Sequence, residues 1–345
     1  MLHTQILQCS PTDEDFYCAQ APAGYGGFRE NFNSSHAYFE NLFLYYWLTG
    51  DYSVVEMLQR GANGMRDYLC PGRWDAGRPM CGPDEQRADF WAGLTSRSAT
   101  QWYETFRFVG LASDDGSYLD DYRGNLARAV TQHYVEVTQN GRPYGFWLSA
   151  FDFTENGEEI WPPQLPSAGT TYSDQLWMVS LYDMNTLYHY MVDTQDQPLG
   201  NPAIPPSQIL IAWANTLADF GSIVDPGGDG WPAGDGTADG SWPNFVGFSW
   251  EGERIGGTLT DVWAELVGDD PHLYDTGKST LTALFFRAGQ LSGDERLIAM
   301  GCETLRFSIQ AAQREFTPMG KIQGEYLSRV PMALGRVTND SLCFE

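Results

Sequence analysis

The stretch YYWLTGDYSVVEMLQRGA, residues 45–62, has the form of two helices meeting at a three-residue joint. Gly50 suits the left-handed position that ends a helix, because it has no Cβ to clash there. Asp51 suits the N-cap of the next helix, where its carboxylate accepts a free backbone N–H. The same grammar returns in LSGD at 291–294, with Gly293 and Asp294 in those places. A variant, LASDDGSYLDD at 111–121, puts Ser117 and Asp120 at capping-box spacing. Three joints of one kind predict stacked helical hairpins.

The flanks agree with that reading. AYFENLFLYYWL, before the first joint, is apolar almost all round, as a helix covered on both sides would be. After the joint, Val54, Val55, Leu58, Ala62 and Met65 share one helical face. Leu119, Tyr122, Leu126, Ala129 and His133 do so after the second joint, and Ile298, Cys302, Leu305 and Ile309 after the third. Each pair therefore reads as a buried inner helix and a one-faced outer helix, which makes two layers. The pairs fall at about 35–69, 96–137, 172–224 and 276–314. Between them, GFWLSAFDFTENGEEIWPP at 145–163 predicts a β-hairpin turning near Asn156-Gly157. FVGFSWEGERI predicts a second strand pair, and 225–245 a long Gly/Asp-rich loop.

Composition narrows the classes. Of 345 residues, 42% are hydrophobic and 14% aromatic, enough for a large core and too many for a disordered chain. The formal charge is −25; Lys278 and Lys321 are the only lysines, and no Lys or Arg lies between Arg142 and Arg254. Such a surface repels nucleic acid and anionic membranes and suits high salt, bound cations or a neutral substrate. There is no apolar run of membrane-spanning length, so no membrane insertion is expected. The first residues have no basic stretch followed by an apolar one and do not read as a signal peptide. The six cysteines are Cys9, Cys18, Cys70, Cys81, Cys302 and Cys343. Their spacing suggests two short closed loops and a link from the tail to the last helix, although every pairing stays open. An even count favours an extracellular or cell-surface protein. No CxxC or HxxxH spacing points to zinc. Asn33 and Asn339 begin glycosylation sequons.

Three stretches carry a resemblance: SSHAYFENLFLYYWLTGDYSVVEML, SRSATQWYETFRFVGLASDDGSYLDDY and LTALFFRAGQLSGDERLIAMGCETL. In them the chain resembles the (α/α) toroids of carbohydrate-active enzymes, namely the six-hairpin glycosidases and the helical polysaccharide lyases, including exo-acting rhamnogalacturonan lyases. The fold this implies is mainly α: an (α/α) toroid, or an incomplete one given four pairs rather than six, with small β-hairpin insertions. Residues 1–33 would be an extended N-terminal segment, 34–315 the helical-hairpin domain and 316–345 a tail packed on it.

In such toroids the inner helices begin around one cavity, so residues at those starts are the candidates. They are Asn33, His36, Tyr38 and Glu40; Arg97, Gln101, Trp102 and Glu104; Tyr172, Asp174, Gln175 and Trp177; and Lys278 and Thr280. A hydrolase needs two carboxylates about 5 to 9.5 Å apart, for which Asp174 with Glu40 or Glu104 would serve. A lyase needs a base beside C5 and a cation on the uronate carboxylate, for which His36 and Tyr38 with Arg97 would serve. Asp174 would equally suit a helix cap. Trp102 and Trp177 would stack on sugar rings or lie in the core. Asp225, Asp229, Asp235 and Asp239 belong to a Gly-turned loop able to hold structural calcium, and no cofactor is required. The expected function is an exported protein that cleaves a glycan in a central cleft. The alternative is a non-catalytic extracellular subunit on the same scaffold, structural or glycan-binding, with self-assembly through the N-terminal segment.

Overall fold

The computed structural model describes residues 40–68, 96–147, 172–175, 179–220, 245–265 and 271–314. The chain divides into two compact units: residues 1–132 with 153–164, and residues 133–152 with 165–345.

The first unit holds α1 (Glu40–Thr49), α2 (Tyr52–Tyr68), α3 (Ser96–Ala112) and α4 (Ser117–His133, whose last residue opens the second unit). The α1–α2 joint forms as the sequence predicts. Gly50 takes φ +68° and donates its N–H to Tyr46 O at 2.8 Å, while Asp51 Oδ1 accepts the N–H of Ser53 at 3.1 Å. Val54, Val55, Leu58 and Ala62 are buried, which confirms the single apolar face of α2. Phe43 of α1 stacks on Phe108 of α3 at 4.5 Å, and Tyr118 of α4 donates to Asn63 Oδ1 of α2 at 2.9 Å. At the second joint the cap differs from the expected box. Ser117 is already helical, and Asp115 Oδ1 accepts its N–H at 3.0 Å.

The second unit overturns the toroid. Helix α4 stops at His133, and Tyr134–Gln139 is a strand, β1. The chain turns at Asn140 and Gly141, with φ of 53° and 78°, and returns antiparallel as β2 (Arg142–Trp147). Two successive positive φ values are the turn that Asn-Gly supplies between paired strands. This hairpin was not expected from the sequence; most of the one expected at 145–163, with its turn at Asn156-Gly157, lies outside the described residues. Residues 172–175, expected to open a helix, form strand β3 (Tyr172–Gln175). The expected strand pair is present as β4 (Phe245–Glu251) and β5 (Ile255–Glu265). These strands make one mixed five-stranded sheet in the order β2-β1-β5-β4-β3, in which β1 and β5 run parallel and the other neighbours antiparallel. The architecture is thus of α/β type, with a sheet where a purely helical ring was expected.

Helices complete the unit: a π-helical turn (Val179–Asp183), α5 (Met184–Thr194), α6 (Pro206–Phe220), α7 (Pro271–Ser292) and α8 (Glu295–Arg314). Helix α6 lies on β2. Thr216 Oγ1 donates to Gly145 O at 2.6 Å and Asn215 Nδ2 to Pro143 O at 3.0 Å. Gly145 permits this approach, since a Cβ there would stand 3.0 Å from the Trp213 backbone nitrogen. Phe146 stacks on Phe248 at 3.9 Å and Phe248 on Trp250 at 5.6 Å; these three rings and Trp213 are buried. The α7–α8 joint repeats the first: Gly293 has φ +69°, and Asp294 Oδ1 accepts the N–H of Arg296 at 2.9 Å. Cys302 of α8 is buried and disulfide-bonded, its partner outside the described residues.

Candidate functional site

Several sequence-derived candidates lie outside the described residues: Asn33, His36, Tyr38 and Trp177, and the calcium loop with Asp225, Asp229, Asp235 and Asp239. Others have a backbone place. Glu40 opens α1; Arg97, Gln101 and Trp102 occupy the first two turns of α3. Glu104 of α3 is directed along its own helix, in an ion pair with Arg107 at 3.4 Å. Tyr172, Asp174 and Gln175 lie in β3, with Asp174 opposite Val246. Asp174 therefore stands in a strand, where the sequence placed the start of a helix. Lys278 and Thr280 fall well inside α7, which begins at Pro271. Arg97 and Glu104 belong to the first unit and Asp174 to the second.

The second unit holds polar clusters that the sequence did not single out. In the first cluster, Asp219 of α6 accepts at Oδ2 from Arg142 Nη1 at 3.0 Å and from the Tyr144 hydroxyl at 2.8 Å. Its Oδ1 accepts from Arg296 Nη1, and Arg296 Nη2 donates to Asn215 Oδ1 at 2.9 Å. Asp294 meets the same guanidinium at 3.5 Å. Burial, and then the bond to Asp219, push the Tyr144 phenol above its usual range; the bond to Asp219 raises Arg142. Two cations and a phenol thus occupy both oxygens of one carboxylate and tie together β2, α6 and the start of α8. Both Asp219 oxygens therefore already accept hydrogen bonds in joining these elements.

The second cluster is deeper. Glu136 of β1 accepts from the Tyr134 hydroxyl at 2.7 Å and from Gln208 Nε2 at 2.7 Å. Burial first, then the charge of Glu136 and the bond to it, hold the Tyr134 phenol well above its usual value. In the third cluster, Arg287 of α7 is buried with its guanidinium carbon 3.6 Å from the centre of the Tyr188 ring, and it donates to Asn185 Oδ1 at 3.0 Å. A cation over an aromatic face is an accepted way to keep a guanidinium inside a protein. Each of these clusters spends its polar groups on neighbouring elements. Among the described residues no group of three His, Cys, Asp or Glu side chains could hold a metal ion.

The first unit offers a feature of another kind. Helix α1 buries Leu42 and Phe43, yet Leu44 and Tyr45 are 50% exposed, Trp47 72% and Leu48 87%. Leu44, Trp47 and Leu48 recur at i, i+3 and i+4, so they form one ridge with Tyr45 alongside. Tyr52 and Met57 of α2 are exposed as well. The sequence predicted a helix covered on both sides; one side is open. Contiguous exposed apolar surface of this sort marks interaction sites, whereas single exposed leucines do not. No described helix is long and apolar enough to cross a membrane. No family model, no curated protein and no solved structure matches the chain.

Proposed function

We propose that the chain is a non-catalytic extracellular binding subunit that engages its partner through the outward ridge of α1. One observation carries this reading: the four large apolar side chains of that helix face outward with no charge among them. Interface cores have this make-up, being rich in aromatic residues and poor in charge. The disulfide at Cys302 supports an oxidising compartment. Asp219 and Glu136 support it from the other side, because each of their carboxylate oxygens already accepts a hydrogen bond from a neighbouring side chain.

A second reading, glycan cleavage, draws on the partly open Arg142–Asp219–Arg296 cluster, where guanidinium groups would suit a uronate carboxylate. Incubation with a panel of neutral and uronate-containing glycans separates the two. Reducing ends report hydrolysis and ultraviolet absorbance reports unsaturated uronate. The expected result is no product from the intact chain. Turnover of any glycan that is lost in Asp219→Asn, with the fold retained, overturns the non-catalytic reading.

A further inference from the structure

We infer that the ridge of α1 is covered by the same ridge of a second copy of this chain, in a contact that salt switches on. The inference rests on the binding-subunit reading and names its partner. A ten-residue helix presents a convex ridge about 15 Å long. Two such ridges pack obliquely, the side chains of one filling the grooves of the other. A two-fold contact needs one self-complementary patch, and a Trp flanked by Leu44 and Leu48 is such a patch: Trp47 of each copy can seat between the leucines of the other.

Taking roughly 200 Å2 for a fully open large side chain, the α1 ridge exposes about 500 Å2. Two such ridges together bring about 1,000 Å2, at the threshold of a specific interface. The ridge itself is uncharged, so a second copy brings no charge into contact with charge there. Each whole chain nevertheless carries −25, and two copies repel until salt shortens the reach of that field. A basic partner would behave oppositely, since salt weakens attraction between unlike charges. A glycan would leave Leu44 and Leu48 without a role.

Sedimentation velocity of the full chain at 1–100 µM, from 0.1 to 1 M NaCl, tests this. A monomer–dimer equilibrium is expected whose dissociation constant falls roughly tenfold or more across that range as the screening length drops from about 10 to about 3 Å. Leu48→Glu, which sets like charges face to face, should weaken the dimer at least about tenfold. Val192→Glu, at an exposed apolar position on α5, should leave it unchanged. Circular dichroism checks that each variant is folded. A monomer at 100 µM in 1 M NaCl, or a dimer indifferent to Leu48→Glu, overturns the second-copy inference. The binding-subunit reading falls separately, on glycan turnover.

Discussion

Tyr134 shows how a single buried side chain ties a strand to its neighbours and to pH. Its hydroxyl donates to Glu136 Oε2, so Tyr134→Phe leaves a buried carboxylate oxygen short of a donor. The expected cost at pH 7 is about 1–3 kcal/mol by urea unfolding. The pH dependence has a definite sign. The folded-state pKa is raised, first by burial and then by Glu136, while the unfolded phenol titrates near its ordinary value of about 10. The stabilising contribution is therefore complete below about pH 10 and is lost as pH rises from there through the folded value. Unfolding curves between pH 9 and 11 should fall more steeply for the native chain than for Tyr134→Phe, by up to about 1.4 kcal/mol per pH unit. Equal slopes would show that this phenol does not carry the alkaline sensitivity.

At the scale of elements, the helical joints and the sheet obey different rules. The α1–α2 and α7–α8 joints are each set by two adjacent residues, one glycine with positive φ and one capping aspartate. Gly293→Ala meets no atom within 4 Å, so its effect is conformational alone, about 1 kcal/mol for forcing a Cβ into the left-handed region. Gly289, one turn earlier, is a matter of space: a Cβ there would come 2.9 Å from the backbone nitrogen of Ile298, where α7 and α8 touch. Gly289→Ala should therefore cost more than Gly293→Ala, about 1–3 kcal/mol, because backbone must move. Thermal or urea unfolding of the two variants side by side checks the order. The reverse order would mean that α7 and α8 are not so closely packed there.

For the whole molecule, charge is the dominant long-range quantity. Self-repulsion of a −25 chain opposes its own compact state as well as association. Raising NaCl from 0.1 to 1 M should raise the Tm by several degrees, and KCl should do the same at equal ionic strength, because screening does not distinguish the two. Calcium at 1 mM should add little. A Tm insensitive to monovalent salt but raised by millimolar calcium would instead reveal a discrete cation site, and Asp225, Asp229, Asp235 and Asp239 would be the first residues to substitute.

How far the chain could be read in advance follows from how local each feature is. Helix faces and joints are written over three or four neighbouring residues. For that reason Val54, Val55, Leu58, Gly50 and Gly293 were all legible, and so was the β4–β5 strand pair. The Asn140-Gly141 turn carried a local signal too, but the apolar spacing of α4 continues smoothly to His133 and hid the switch of period that follows. Sheet membership could not be read this way. Residues 172–175 are a strand because Phe245–Phe248 lie beside them, and β1 runs parallel to a segment more than 100 residues later. The candidate site divides along the same line. The sequence by itself determined that α1 is apolar almost all round, that the chain is strongly acidic and that Asp51 and Asp294 cap two of its joints. Only the tertiary structure decided which side of α1 is left open, which carboxylates are consumed in joining elements, and that helices meet a sheet instead of one another around a ring. Those outcomes depend on contacts between distant residues, whose free energy no single stretch of chain contains.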